Sequence, residues 1–360
     1  MSIDFSEYTN LGESLAKIYH TTTSSGNVIK KQLLRGDHQI EFTETNDFAL
    51  KTAHFLHGLE RAGLKPGIAF SLGAHYSAGY YPVMKHGGSF LMNLISVESE
   101  LIAAAMTEAH GGSDAFNMKT TAVKSDNNYI INGVKTYCTN ACDARFILVY
   151  AITDESKGLF GGITAFLIDR TVHELNITPI DESEGLQHTG WGEVILQDCA
   201  VDEQYIIGNV GAGGFIFMDA MDVERVVLSF MHCGSMRYLL DTCVHFSKSR
   251  TTAQSSISNY QAIQFRIADM AVDIETSELI AVKALNNLGN KTTKTMSAAQ
   301  AKIICSEAYV RTALQSSLIL GGAAFSGYAG VLEHLTASQA SCIYSGTNDI
   351  MRNIIAGNIV

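Results

Sequence analysis

TTAVKSDNNYIINGVKTYCTN, residues 120–140, decides the fold class. Valine, isoleucine, threonine and tyrosine crowd into short runs, and Asp126, Asn127 and Asn128 interrupt them where a hairpin would reverse. Asn132-Gly133 reads as a second turn. FILVYAIT (146–153), GITAFLIDR (162–170) and GEVILQDCAVD (192–202) continue the same texture, so residues 104–205 are expected to form a compact antiparallel β domain. Outward from it the period changes. NDFALKTAHFLHGLERAGL (46–64) and GSFLMNLISVESELIAAAM (88–106) space their apolar residues by three and four, which predicts a helical domain over 1–103. On the other side, blocks at 214–248, 261–288, 297–321 and 329–358, joined by NNLGNKTTKT and GGAAFSGYAG, predict a four-helix bundle over 206–360. Helix, then β, then helix is an α+β order and argues against a doubly wound sheet. GAGG at 211–214 is accordingly a turn, not a dinucleotide fingerprint.

Composition narrows the function classes. With 46% hydrophobic and 17% charged residues, the chain can bury sizeable cores and is not a disordered one. Three prolines against 31 glycines suit long helices with glycine at their connections. A formal charge of −11 argues against nucleic-acid or anionic-membrane partners. Seven scattered cysteines without a CxxC spacing indicate neither a disulfide framework nor a metal site, and point to a reducing, cytoplasmic compartment. MSIDFSEYTN lacks the features of a signal peptide, and no stretch reaches the roughly 18 apolar residues of a membrane span.

MDVERVV, residues 221–227, raises a chemical question. At helical spacing Glu224 is surrounded by Ala220, Met221, Val227 and Leu228, so it interrupts an apolar stripe, whereas Asp222 and Arg225 can pair on a more polar side. A carboxylate in such a place must be paired, protonated or functional, because burying its charge alone costs several kcal/mol. Other segments carry separate hints. MTEAHGGSD (106–114) offers Thr107, Ser113 and backbone N–H groups to an anionic or heteroaromatic ligand. Tyr137 and Thr139, two apart, would share one strand face. IYSGTNDIMR (343–352) joins a Gly-Thr-Asn turn to a helix start.

The succession MTEAHGGSD, NGVKTYCTN, DCAVDE, GAGGFIFMDAMDVER, SRTTAQSSISNYQAIQFRIADMA, LILGGAAFSG and IYSGTNDIMR resembles the acyl-CoA dehydrogenase family of flavoproteins. The resemblance covers residues 100–360, while the first hundred match in texture and look shortened. It implies an N-terminal helical domain, a central β domain and a C-terminal four-helix bundle, assembled as a dimer of dimers around FAD. It also implies that Met106, Thr107 and Tyr137 touch the flavin ring, Thr139 lies near flavin N5, and Gly112 and Ser113 belong to the diphosphate loop. Arg250, with Thr252 and Gln261, would reach the FAD of a neighbouring subunit; Gly321 and Gly322 match the adenine-side turn, and Thr347 and Asp349 a further FAD contact. Two departures stand out: Thr252, Ala253 and Gln254 replace the usual Gln-Phe-Gly, and Leu318 replaces the usual Gln before the glycine pair.

Most of this family carries its catalytic glutamate immediately before the Gly-Thr of the last motif, where this chain has Ser345. A minority, including isovaleryl-CoA dehydrogenases, supplies it from the first bundle helix just before an arginine. Glu224, followed by Arg225, stands there, and the resemblance makes it the base that takes the α proton of a thioester, with Asp222, Arg225 and Gly346 beside the substrate. GGAAF, YSGTNDI and WGEV (191–194) look most like L-prolyl-[peptidyl carrier protein] dehydrogenases, which implies a phosphopantetheine thioester on a carrier protein as substrate, in natural-product biosynthesis. The acceptor of the electrons would be an electron-transfer flavoprotein or oxygen. A free acyl-CoA substrate, or a redox-silent binding protein, are the rival readings.

Overall fold

The computed structural model describes residues 6–20, 30, 33, 34, 45–98, 100–182 and 185–360. Residues 1–5 of the MSIDFSEYTN terminus, and Ser99 within the second apolar segment, lie outside the described residues. Helices come first: α1 (Ser6–His20), α2 (Thr45–Arg61), α3 (Pro66–Ala74), α4 (Tyr81–His86) and α5 (Gly88–Glu98), with a π-helical stretch at His75–Tyr80 between α3 and α4. Pro66 falls in the first turn of α3, where the missing N–H costs no hydrogen bond.

Strands follow as β1 (Ile102–Ala105), β2 (Thr121–Ser125), β3 (Asn128–Cys138), β4 (Phe146–Ile152), β5 (Ile163–Asp169), β6 (Asn176–Pro179), β7 (Gly192–Asp202) and β8 (Ile206–Ile207). They form one mixed sheet in the order β6-β7-β3-β2-β4-β5-β8, with β1 beside β4. Five pairings are antiparallel, whereas β1 and the end of β2 meet β4 in parallel. The uninterrupted apolar runs of β4 and β5 are buried along almost their whole length, as strands covered on both faces should be. β3 alternates and keeps one face partly open.

The C-terminal part is built on α6 (Gly213–Ser249), whose 37 residues span about 55 Å. Its middle is buried all round, from Val223 to Met236, because α2, α3, α7 (Gln261–Asn287) and α8 (Lys294–Leu320) surround it. Gly234 permits the contact with α2, since a Cβ there would strike the His57 carbonyl. α9 (Val331–Ser341) and α10 (Asn348–Gly357) complete the bundle against α8.

Three local expectations are corrected. The tail of the 88–106 segment is not helix but β1, because Ile102, Ala103 and Ala105 are buried beside β4 and a short apolar run fits either period. Asn132-Gly133 is no turn: it is a bulge inside β3, where Asn132 donates to the Asp198 carboxylate (3.1 Å) and accepts from Asp198 N–H (2.8 Å) on β7. The block at 329–358 is two helices, broken at 342–347 by Ser345 (φ 57°) and Gly346 (φ 89°), both left-handed. The hairpin at Asp126 forms as read, with Asp126 at φ 53° between β2 and β3, and GAGG is a turn that runs directly into α6.

Candidate active site

Glu224 is 5% exposed on α6, at the level where the helix passes from the sheet into the bundle. The buried Tyr150 of β4 and Tyr344 of the 342–347 turn both feel its charge. Among the described residues no cation lies within ion-pairing distance of it. Arg225 turns away, donating Nη1 to Asp222 Oδ1 (3.2 Å) and Nε to the Ser345 carbonyl (3.0 Å). Burial pushes the Glu224 carboxyl up to about 7, with the Ser345 hydroxyl and the Arg225 charge pulling the other way.

Asp222 and Arg225 pair as the spacing predicted, but on a buried side rather than a polar one. The reason is tertiary: Thr295 of α8 donates to Asp222 Oδ2 (2.7 Å), Lys294 approaches it at 3.8 Å, and the 342–347 turn covers Arg225. That turn is short of freedom. A Cβ on Gly346 would come within 2.9 Å of Met351 Cε, and Thr347 closes the turn by accepting from Ile350 N–H as the N-cap of α10. The buried Ser345 hydroxyl faces the Glu224 carboxyl closely enough to draw its pKa down, though short of a well-formed hydrogen bond. Positions 224 and 345, distant in sequence, therefore share one dry spot.

The sheet supplies a second group of residues. Thr136 N–H donates to the Thr107 carbonyl (2.8 Å) and Lys135 Nζ to the Met106 carbonyl (3.1 Å), which pins the 106–114 loop against the end of β3. Lys135 is fully buried and meets Glu108 at 2.8 Å; Glu108 also accepts from Lys119 N–H, Thr120 N–H and Thr120 Oγ1. Burial alone would raise the Glu108 carboxyl, but these donors hold it at about 2. This ion pair was missed in the sequence, although opposite charges in MTEAHGGSD and KTYCTN, two segments singled out together, were a usable signal. Gly112 and Ser113 stand exposed on the same loop.

The pleat does not carry Tyr137 and Thr139 on one face as anticipated. A register shift between Lys135 and Cys138 puts Tyr137 at φ 53°, β3 ends at Cys138, and Thr139 follows in the turn. The shift lifts the Tyr137 ring to 62% exposure, edge-on to Trp191 at 6.2 Å.

Arg250, Thr252, Gln261, Gly321 and Gly322 gather elsewhere. Arg250 is the exposed C-cap of α6, Thr252 pairs with Ser255 in a small hairpin, Gln261 begins α7, and the Gly321-Gly322 turn ends α8 with open space where a Cβ at either would stand. Arg250 is 26 positions along α6 from Glu224, about 39 Å. Asp349 lies at the surface of α10, paired with Arg352 at 3.1 Å.

Residues 103–199 match the family described as acyl-CoA dehydrogenase, middle domain, and residues 211–360 the family described as acyl-CoA dehydrogenase, C-terminal domain. The chain belongs to the acyl-CoA dehydrogenase family. An L-prolyl-[peptidyl-carrier protein] dehydrogenase of Serratia sp. (strain ATCC 39006) is 34% identical, over 86% of this chain and 81% of its own length. The mitochondrial isovaleryl-CoA dehydrogenase of Oryza sativa subsp. japonica is 30% identical over 80% of this chain and 71% of its own. Among solved structures, PigA with FAD and proline superposes with a TM-score of 0.89 at 30% identity, covering all of this chain and 98% of that one. The Ser345 side chain and the buried Glu224 carboxyl lie side by side. Among the described residues no helix is long and apolar enough to cross a membrane.

Proposed function

We propose that this FAD-dependent dehydrogenase removes hydrogen across the α,β bond of an aminoacyl thioester held on a carrier protein, with the L-prolyl thioester as the leading substrate. The observation that carries the reading is Glu224: a buried, unpaired carboxylate with its pKa at about 7, on a chain whose relatives include a prolyl-carrier dehydrogenase. Such a group is poised as a base near neutral pH. Glu224 takes the proton from Cα of the thioester. A group near pH 7 that stays out of water gains basicity without being quenched by a neighbouring cation, and Arg225 is kept occupied by Asp222 and Ser345. Asp222, Arg225 and Gly346 build the wall against which the substrate lies, Arg225 by holding the Ser345–Gly346 turn in place.

The residues present fit FAD. The bulge that lifts the Tyr137 ring off β3 beside the pinned Thr107 leaves a flat apolar face next to a loop of small residues, and the Gly321-Gly322 turn leaves open space where any side chain would stand. Met106, Thr107, Tyr137 and Thr139 are assigned to the ring, Gly112 and Ser113 to the diphosphate, and Thr347 and Asp349 to a further contact. When bound, FAD supplies the two-electron acceptor for the hydrogen leaving Cβ. Conversion of a prolyl to a pyrrole-2-carboxyl group takes two oxidations, each removing two electrons and two protons, the first at Cα–Cβ and the second elsewhere in the ring.

Arg250, Thr252, Gln261, Gly321 and Gly322 are assigned to the FAD of a second copy, Arg250 standing about 39 Å along α6 from the base. Exposed Val272, Leu279 and Val282 on α7, and Leu314 and Leu318 on α8, give that copy apolar surface to cover. The holoenzyme is expected to be a dimer or tetramer by solution mass; a monomer with FAD bound would remove the shared site.

Anaerobic mixing with a panel of thioesters tests the substrate. Prolyl-carrier is expected to bleach the flavin at least about tenfold faster than branched or straight acyl-CoA, a preference worth about 1.4 kcal/mol. Equal or faster bleaching by the CoA thioesters would instead make this an ordinary acyl-CoA dehydrogenase.

A further inference from the structure

Glu224 opens a face of α6 that continues beyond the base. Leu228 lies one turn further and His232 two turns further, about 12 Å along the axis and within about 80° of Glu224 around it. Tyr344 covers that stretch. Its backbone adjoins Ser345, beside the base, while its hydroxyl meets His232 Nε2 at 2.7 Å. Phe70 of α3 stacks on the Tyr344 ring, the centroids 4.3 Å apart and the planes 24° from parallel. Gly73, one turn along α3, brings that helix onto Leu228, because a Cβ there would stand 2.6 Å from Leu228 Cδ2. His232 is itself fixed. Its ring stacks on Tyr309 of α8 at 5.6 Å, and among the described residues the Tyr344 hydroxyl is its one polar partner, Nδ1 being buried without any. Burial, with the Lys302 charge nearby, draws the imidazole pKa down to about 3 and keeps the ring neutral. Phe70, Leu228 and His232 are buried, whereas Tyr344, Ser345 and Gly346 stay partly open. A group that lies along this face from the base meets the stack within about one turn of α6. Toward the sheet the same face ends at Phe217, whose ring meets Tyr150 at 5.4 Å and Phe116 at 5.5 Å.

We propose that Phe70 and Tyr344 form the floor of the acyl site, with His232 as the residue that positions Tyr344, and that this floor confines the enzyme to small acyl groups, a five-membered ring or a chain of similar reach. The inference rests on Glu224 being the base and deepens the substrate reading: it says which acyl groups fit, whatever carries the thioester. An acyl group that presents Cα to Glu224 has aromatic rings at either end of its helix face, and the floor is the nearer of the two to the bundle. Tyr344 is held by Phe70 on its face and by His232 at its tip, and α3 is held by the Gly73–Leu228 contact. A longer chain would have to displace packed rings rather than slide past them.

Titration of the FAD-loaded enzyme with S-butyl-, S-hexyl- and S-octyl-pantetheine, thioethers without an acidic α C–H, tests it through the perturbed flavin spectrum. An open channel would tighten binding about fourfold for each methylene buried. Against a floor the gain stops after S-butyl, and S-octyl is expected to bind about tenfold more weakly because it must push rings aside. F70A should invert the order and make S-octyl the tightest. H232L should narrow the tenfold gap, and H232Q, which can still bond the Tyr344 hydroxyl, should restore it; a residue serving only the fold would not sort the two variants by chain length. Should F70A release its FAD, F70L gives the same reading, with S-hexyl overtaking S-butyl. A wild-type protein that binds S-octyl most tightly, or binds none of the three, would overturn the proposal, as would a FAD-loaded F70A that keeps the wild-type order. Failure here would leave the Glu224 assignment standing, whereas loss of that assignment would show in flavin bleaching and not in these affinities.

Discussion

Glu224→Gln is expected to keep FAD and to lose substrate-dependent flavin bleaching by about 10³-fold, the usual range for removing a positioned general base being about 10²–10⁴. Glutamine keeps the volume and the hydrogen-bonding capacity of the side chain, so an unaltered flavin spectrum with absent reduction isolates the proton transfer. The wild-type rate of bleaching should rise with pH through about 7 and then level, because the Glu224 carboxyl, raised to about 7 by burial, accepts a proton only once ionised. Below that pH the neutral acid predominates and the rate falls about tenfold per pH unit. Reduction of the Glu224→Gln protein at the wild-type rate would remove Glu224 from the mechanism. So would a profile flat between pH 5 and 8. Ser345→Glu tests the same wall from the other side: a second carboxylate beside Glu224 is not needed for wild-type turnover, and two acids sharing one dry spot should push one pKa higher still.

Glu108→Ala should destabilise the protein by about 3–5 kcal/mol, the cost of leaving a buried partner charge uncompensated. Lys135 is fully buried, and among the described residues its ammonium reaches, besides Glu108, only the Met106 carbonyl and the Met118 sulfur. The same substitution frees Thr120 and Lys119 N–H, so the 106–114 loop loses both its anchor and its shape. FAD should be retained poorly on gel filtration, because Met106, Thr107 and Ser113 sit on that loop. Replacing both partners, Glu108→Gln with Lys135→Met, should recover most of the stability by removing the orphan charge. Chemical denaturation separates the cases; an unchanged midpoint for Glu108→Ala would mean that the pair carries no net load.

These two carboxylates also mark the limit of reading from sequence. Glu224 announced itself, since a charge on an apolar stripe at helical spacing breaks a one-dimensional pattern. Glu108 did not, since a glutamate in a loop breaks no pattern at all. Its partner Lys135 lies in a strand whose alternation depends on a bulge set by Asn132 and Asp198, two residues that meet only across β3 and β7. A second register shift, between Lys135 and Cys138, moved Tyr137 out to solvent and placed Thr139 beyond the strand.

By itself the sequence determined the order of helices, sheet and helices, because the change from period 3.6 to period 2 is a local property of side-chain spacing. It also determined which helix bears the carboxylate, and the seven ordered motifs carried the family. Only the tertiary structure decided that positions 224 and 345 lie side by side, that Asp222 and Arg225 are buried, and that Arg250 stands some 26 helical residues from the base. The physical reason is common to all three. A residue's burial, and hence its pKa and its freedom to react, is set by elements far away in the chain that happen to cover it.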